Sequence, residues 1–360
     1  MTEQKKRIVV AMSGGVDSSV TAALLKEAGH EVIGITMQIW DYSSFTAKNG
    51  DTFGSCCSLD DVYDARRVAE SLDIPFYVVN FEKTFQKEVI DRFCDDYLAG
   101  RTPNPCVWCN QQLKFERLLQ RAYELEADAL ATGHYARLEA EAEGWALRKG
   151  LDAGKDQSYF LYALPKEQMG RILFPLGGMS KDEVRAHAAR FSLRVAEKAE
   201  SQDICFVPDG DYVRFLEEER GNGLGDGEIV YVDGRILGTH RGFYRYTIGQ
   251  RRGLGIAWPK PLYLVDIDAA KKQVVLGEKE YLSRRELTVV TPNWLISVPQ
   301  EPFRAACRIR YRHHEAAATL TPLANGRITV DFDEAQLGVT PGQSVVFYAA
   351  DRVLGGGVIA

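Results

Sequence analysis

Ala11–Val20 reads AMSGGVDSSV. The run leading into it, Arg7–Met12 (RIVVAM), is short, apolar and β-branched, while Ser18–Ala28 carries Val20, Ala23, Leu24 and Ala28 at helical spacing. Strand, glycine turn and helix are therefore expected in that order. At such a turn the backbone N–H groups of Ser13-Gly14-Gly15-Val16-Asp17-Ser18 and the helix dipole favour an anion. The glycines allow close approach of phosphate oxygens, and the hydroxyls of Ser13 and Ser18 add donors. The loop lacks the lysine of a Walker A sequence and the three-glycine spacing of a dinucleotide fingerprint, which argues against γ-phosphoryl transfer and against NAD.

The same alternation continues outward. Glu31–Ile39 (EVIGITMQI) and Pro75–Phe81 (PFYVVNF) read as buried strands, and Ala127–Thr132 (ADALAT) as a fourth strand running into Gly133 and His134. Between them Leu59–Leu72 is expected to be helical, with Ser58 and an acidic first turn marking its start, and Phe85–Leu98 and Gln111–Leu125 read as amphipathic helices. The fold class is α/β, with a Rossmann-like parallel sheet covered on both faces and ligands at the carboxyl ends of its strands. After about Ser201 the texture changes. Glycine-rich Gly221–Gly227 is followed by short strands and turn pairs such as Asp233-Gly234 and Asn325-Gly326. From about Arg284 the runs LTVVTP, FRAACRIRYR, ITVDF and SVVFYA predict a small β-barrel, preceded by a small α+β segment. Period two in Ala306–Arg312 puts Arg308, Arg310 and Arg312 on one face and Cys307, Ile309 and Tyr311 on the other.

The net charge of −6 excludes a protein that coats nucleic acid indiscriminately, but the positive residues are clustered. No Asp or Glu occurs from Gly234 to Val265, a stretch holding Arg235, Arg241, Arg245, Arg251, Arg252 and Lys260; Pro302–His314 likewise holds Arg304, Arg308, Arg310 and Arg312. Local basic surface on an acidic chain suits a specific polyanion. No apolar run approaches the roughly 20 residues of a membrane span, and the apolar run at the N-terminus ends in the glycine turn rather than a cleavage site. A cytoplasmic location is expected.

The 7 cysteines have neither the density nor the spacing of a secreted disulfide framework. In RTPNPCVWCN, Arg101–Asn110, two prolines stiffen the chain ahead of Cys109 and a helix is expected just after it, a position that stabilises a thiolate. Cys205, in SQDICF, stands beside Asp203 at the expected domain boundary. Cys106 and Cys109 form a single Cys-x-x-Cys pair with no second pair to complete a zinc site. Three thiolates from Cys106, Cys109 and Cys205 with one open position would suit an iron-sulfur cluster, and that reading stays open.

SGGVDS resembles the pyrophosphate loop of the N-type ATP pyrophosphatases, which adenylate a carbonyl-type oxygen. CCSLDDVYDARRVAESLDIPFYVVNF, GRTPNPCVWCNQQLKF, ATGHYAR, KDQSYFLYAL, ESQDICF, TIGQRRGLG and RIRYR follow it in order. Together they resemble the bacterial tRNA-specific 2-thiouridylases over nearly the whole chain. The resemblance implies an ATP pyrophosphatase domain at 1–203, a small central domain at 204–283 and a C-terminal β-barrel at 284–360, the last two contacting tRNA. It implies ATP contacts at Ala11, Met12, Ser13, Gly14, Gly15, Val16, Asp17, Ser18, Met37 and Gly133. Magnesium would arrive with ATP rather than in a protein cage, with Asp17 as one contact. Cys109 corresponds to the family's nucleophile and Cys205 to its persulfide carrier. Base and anticodon contacts fall on Asn104, Pro105 and Cys106, on Lys155, Asp156 and Gln157, and on Arg310 and Tyr311. The implied activity is a sulfurtransferase making 2-thiouridine at the wobble position of tRNAs for Lys, Glu and Gln, supplied by a cysteine desulfurase or sulfur-relay protein. Many family members carry Asp at the position of Cys106, an aspartate to which proton transfer is assigned, so that role is in doubt here. Two other readings use the same residues: a cluster-dependent thiolase taking external sulfide, and an amidating synthetase of the same fold.

Overall fold

The structure, a computed structural model, describes residues 5–40, 59–198, 204–207, 209–221 and 225–360. Cys56, Cys57, Ser58 and Asp203, and residues 222–224 of the Gly221–Gly227 stretch, lie outside the described residues. One compact unit comprises residues 1–89, 106–210 and 351–353, and a second comprises 90–105, 211–350 and 354–360.

The first unit is built on β1 (Arg7–Ala11), β2 (Glu31–Gln38), β3 (Phe76–Asn80), β4 (Ala129–Ala131) and β7 (Ile172–Leu173). Every pairing is parallel, in the order β3-β2-β1-β4-β7. A parallel sheet needs apolar residues on both faces, and Ile8, Val9 and Val10 of β1 are all fully buried. Helix α1 (Val16–Glu27) packs Val16, Val20 and Ala22 into the core that also holds Ile8 and Val10. Helix α2 is Leu59–Ser71, and α3, Lys181–Arg190, starts at Ser180 with a reciprocal capping box to Glu183. The hairpin β5 (Ala136–Glu141) and β6 (Gly144–Lys149), which the sequence reading did not anticipate, follows β4. Arg137 and Arg148 of this hairpin both pair with Asp351, at 2.6 and 2.7 Å.

Chain order from β1 runs to one side through β2 and β3 and to the other through β4. That reversal opens a crevice beyond the carboxyl ends of β1 and β4.

Two helices differ from expectation. Phe85–Leu98 is interrupted: Glu82–Phe85 is α, Gln86–Asp91 is π and Arg92–Leu98 returns to α. The helix expected at Gln111 instead begins at Pro105, with Pro105–Trp108 α, Cys109–Leu118 π and Leu119–Glu124 α. Proline at the first helical position loses no hydrogen bond and is pre-set for helix, so the helix starts there. Cys109 consequently lies inside the helical run, beyond the first amides that a helix leaves unpaired. Cys106 occupies the first turn.

The second unit contains the helix Tyr212–Arg220 and a sheet of β8 (Gly227–Tyr231), β9 (Ile236–His240), β10 (Tyr263–Asp268) and β11 (Gln273–Gly277) in the order β10-β11-β8-β9. It also contains the six strands β12 (Ser283–Trp294), β13 (Phe303–Arg308), β14 (Ala316–Pro322), β15 (Ile328–Leu337), β16 (Ser344–Ala349) and β17 (Arg352–Ile359). They run in the order β12-β15-β14-β13-β16-β17, and β12 pairs back onto β17 to close a barrel. Closure removes the free edges that would otherwise recruit another strand. Leu287, Val289, Cys307, Leu320, Val330, Phe332 and Phe347 fill its interior. The expected alternation holds through Ile309, with Cys307 and Ile309 buried, but β13 ends at Arg308. Arg310, Tyr311 and Arg312 therefore lie on the following turn, not on a strand face.

Candidate active site

The crevice predicted by the strand order is a cleft of about 200 Å³. Ala11, Met12 and Ser13 line it from the end of β1, Asp17 and Ser18 from the start of α1, Ile35 and Met37 from β2, and Thr132, Gly133 and His134 from the end of β4. Lys114 and Gln157 complete it. Most of the expected ATP contacts thus surround one opening, whereas Gly14, Gly15 and Val16 shape the loop behind it.

Local hydrogen bonds fix that loop. Ser18 Oγ accepts from the Ser13 amide at 3.1 Å, and Ser19 Oγ donates to the Gly15 carbonyl at 2.8 Å. The Met12 amide donates to the Ile35 carbonyl at 2.8 Å, and Thr36 Oγ1 donates to the Met12 carbonyl at 2.7 Å, pinning the loop to β2. No side chain caps α1 at Gly15, so its first-turn amides are left for an anion. Gly14 has φ +72°, and a Cβ there would stand 2.2 Å from the Asp61 carbonyl oxygen. Gly133 is similarly constrained, since a Cβ would lie 2.8 Å from the Ser18 amide nitrogen.

Three lysines meet this region, and their partners differ. Lys181, at the start of α3, is buried and donates to both oxygens of Asp17, at 2.8 and 3.0 Å, while Tyr135 Oη donates to the same carboxylate at 2.7 Å. Lys198 Nζ donates to Asp61 and Asp64, each at 2.6 Å, and to the Gly14 carbonyl at 3.1 Å. Both carboxylates raise the affinity of Lys198 for its proton against the opposing effect of burial. Lys114 Nζ instead meets neutral groups, Asn110 Oδ1 at 2.9 Å and His134 Nε2 at 3.4 Å. Burial between Phe115 and Phe174, reinforced by Lys114, holds His134 well below its usual pKa. Neutral His134 therefore accepts from Lys114 through Nε2 and donates its Nδ1 proton to Thr132 Oγ1, 2.6 Å away. Asn110 Nδ2 donates to the Phe160 carbonyl at 3.2 Å.

The other expected site residues are spread over both units. Cys109 is half-buried, immediately before Asn110; Cys106 is exposed and Cys205 half-buried. Asp156 is buried, and its carboxylate accepts from the amides of Gly150 and Ser158, both at 3.1 Å, and from Ser158 Oγ at 3.0 Å. It organises the loop carrying Lys155 and Gln157 instead of facing outward. Gln157 is tied to Tyr135, accepting from its amide at 3.0 Å, and so reaches the cleft. In the second unit Asn104 is buried and donates to Ser344 Oγ at 3.4 Å, Pro105 is buried, and Arg310 is exposed.

The basic stretches are partly neutralised from outside. Arg235 pairs with Asp233 at 2.8 Å, Arg245 with Glu217, Arg304 with Asp333 and Arg308 with Glu315. Arg241, Arg251, Arg252, Lys260, Arg310 and Arg312 are exposed.

Among the described residues no three His, Cys, Asp or Glu side chains gather closely enough to hold a metal ion. Cys106, Cys109 and Cys205 thus do not assemble the three-thiolate set on which the cluster reading depends. Asp17 is the one carboxylate among the described residues lining the cleft, and both its oxygens already accept hydrogen bonds from Lys181. Among the described residues no built site awaits magnesium, which would enter on the phosphates. No described helix is long and apolar enough to cross a membrane.

Comparison with known proteins agrees with this geometry. The tRNA methyl transferase HUP domain pattern matches residues 6–209, the tRNA methyl transferase PRC-barrel domain 213–278 and the aminomethyltransferase β-barrel domain 284–359. A tRNA-specific 2-thiouridylase of Geobacter metallireducens is 63% identical over 100% of this chain and 98% of its own length. The chain belongs to the tRNA-specific 2-thiouridylase family. The Geotalea uraniireducens member is 61% identical over 99% of this chain and 95% of its own, and the Syntrophotalea carbinolica member 56% over 100% of both. The HUP domain is of the ATP pyrophosphatase loop type, in keeping with the parallel sheet and the loop at Ser13–Ser18.

Lys114, His134, Thr132, Ile35, Tyr135 and Lys181 were not singled out from sequence. Lys114 and His134 lay inside quoted motifs, QQLKF and ATGHYAR, and the four-residue interval from Asn110 to Lys114 was the available signal.

Proposed function

We propose that this chain catalyses ATP-dependent 2-thiolation of the wobble uridine in tRNAs for Lys, Glu and Gln. The observation that carries the reading is one hydrogen-bonded chain, Asn110–Lys114–His134–Thr132, running from the residue after Cys109 to the cleft beside the phosphate loop. It links a candidate sulfur nucleophile to a candidate adenylation pocket. The high identity to named 2-thiouridylases over the full length supports the same assignment.

The mechanism has two stages. The target uridine leaves the anticodon loop stack, where bases are readily splayed out. Its O2 attacks the α-phosphorus of ATP; the O2–P bond forms, the bond to pyrophosphate breaks with its electron pair on the leaving group, and the N3 proton passes to solvent. The open amides at the start of α1 stabilise the departing pyrophosphate. Lys181, from 164 residues away in sequence, holds the Asp17 carboxylate beside those amides. Magnesium, when it arrives with the triphosphate, adds further neutralisation of its charge.

In the second stage the terminal sulfur of a Cys205 persulfide attacks C2, and AMP leaves with the C2–O2 electron pair. Cys109 thiolate then attacks Cys205 Sγ, breaking the sulfur–sulfur bond to the base. The base retains one sulfur and regains a proton, and a Cys109–Cys205 disulfide remains for a dithiol reductant. A cysteine desulfurase or relay protein is the proposed source of the persulfide. The three segments 1–203, 204–283 and 284–360 are proposed as catalytic, central and barrel domains, with tRNA contacts at Lys155, Gln157, Arg310 and Tyr311. The first turn at Asn104–Cys106 is proposed to contact the base. Asp156 is proposed to act only through the loop it holds.

The test is reconstitution with ATP, magnesium, a persulfide donor and unmodified lysine tRNA transcript, followed by nucleoside mass spectrometry. Wobble 2-thiouridine with stoichiometric AMP is expected. Folded protein yielding neither would overturn the assignment. If ammonia replaced sulfur as nucleophile, Cys109→Ala and Cys205→Ala would leave product formation intact.

A further inference from the structure

The three lysines at the phosphate loop are not equivalent. Lys181 is matched by Asp17, and Lys198 by Asp61 and Asp64. Lys114 lines the same cleft and has no carboxylate partner among the described residues; its ammonium is held by an amide oxygen and by the Nε2 lone pair of His134. A hydrogen bond donated to a neutral acceptor orients a cation without cancelling its charge. Asn110 is in turn fixed by the Phe160 carbonyl and His134 by Thr132, so the ammonium is anchored on two sides. An oriented, uncompensated cation in a cleft is complementary to an anion absent from the resting protein.

The cleft divides the expected charge. Pyrophosphate has the open α1 amides. The α-phosphoryl group, where O2 attacks and from which AMP later departs, gains charge on its non-bridging oxygens and needs a donor of its own. Lys114 is carried by the π-helical stretch Cys109–Leu118 that begins with the candidate nucleophile, and π-helical segments recur at functional sites.

Resting on the adenylation reading above, we propose that Lys114 is a catalytic residue that binds the α-phosphoryl oxygens and stabilises the charge they gain as the O2–P bond forms and pyrophosphate leaves. Asn110 and His134 position it. No proton is transferred by Lys114 in this role.

The experiment is single-turnover pyrophosphate release from ATP with unmodified lysine tRNA transcript, comparing wild type, Lys114→Gln and Lys114→Arg. Gln keeps a hydrogen-bonding group without the charge, whereas Arg keeps the charge. Gln is expected to slow release about 10²–10³-fold at saturating ATP, with the KM for ATP changing less than about tenfold, the pattern of an interaction made mainly in the transition state. Arg is expected to stay within about tenfold of wild type, since charge is retained with altered geometry. Release by Gln within about threefold of wild type, or equal loss in Gln and Arg, would overturn the proposal. Wild-type protein that releases no pyrophosphate with this tRNA contradicts the underlying adenylation reading instead. Should Lys114→Gln not fold, the wild type decides by competition. AMP must bind at least about tenfold more tightly than adenosine, a gain set by one charge-assisted contact; equal affinities overturn the proposal.

Discussion

The phosphate loop and the Cys109 segment are proposed to serve the same reaction by opposite means. At Ser13–Ser18 the backbone offers the donors: Gly14 takes φ +72°, no side chain caps α1, and first-turn amides are left open. At Cys109 the backbone is already committed to a helical run that began at Pro105, and any help for an anion must come from side chains. In the proposal above, Lys114, held by its neutral partners Asn110 and His134, is the side chain that meets the α-phosphoryl group. A site made of backbone tolerates almost no change of glycine, whereas a site made of side chains can be dismantled one group at a time.

The largest expected effect separates the two stages. Cys109→Ser should lower 2-thiouridine formation by more than about 10³-fold while pyrophosphate release stays within about tenfold of wild type, because only the sulfur step needs the thiolate. Parallel loss of both activities would break the division between backbone-made and side-chain-made parts.

Next is Gly14→Ala. The added Cβ would meet the Asp61 carbonyl at 2.2 Å in a conformation that side chains rarely adopt, at a cost of about 1–3 kcal/mol from strain alone. A raised KM for ATP together with a lowered urea midpoint is expected; an unchanged midpoint would show that the loop yields easily.

Asp17→Asn should cost less. It leaves Lys181 without its counter-charge, but the Asp17 side chain is 30% exposed and that of Lys181 10%, so solvent relieves part of the penalty. A loss of about 1–2 kcal/mol in urea unfolding is expected, below the range for fully buried pairs. A stability equal to wild type would mean that Lys181 finds another partner.

The smallest effect is on pH dependence. Burial depresses the pKa of His134 below its usual 6.5, so the unfolded chain takes up this proton before the folded one does. Its contribution to stability is complete above about pH 6.5 and is lost as the pH falls, by at most about 1.4 kcal/mol per pH unit. His134→Asn should therefore flatten the decline of the urea midpoint between pH 7 and 5.5, and parallel curves would contradict a neutral, buried imidazole.

What was legible in the sequence follows the same contrast. Strand, glycine turn and helix at Ala11–Val20, the parallel sheet and the barrel are local patterns, and each was readable because hydrophobic periodicity and turn residues act over a few neighbours. The paired prolines ahead of Cys109 point to a stiff extended lead-in, whereas Pro105 is the first helical residue and the helix starts earlier than the pattern indicates. Partnerships were not readable. Lys181 reaches Asp17 across 164 residues, and Arg304 and Arg308 meet Asp333 and Glu315 from outside the acid-free stretch that made them look like open positive charge. The exposed basic residues with no ion-pair partner among the described residues, among them Arg251, Arg252 and Arg310, are fewer than the linear count suggested.

The most direct test of the central claim follows one oxygen atom. Lysine tRNA transcript made with ¹⁸O at uridine O2, incubated with ATP, magnesium, a persulfide donor and the protein, should yield AMP carrying one ¹⁸O for each wobble 2-thiouridine formed. Thiolated tRNA accompanied by unlabelled AMP would contradict adenylation of the base.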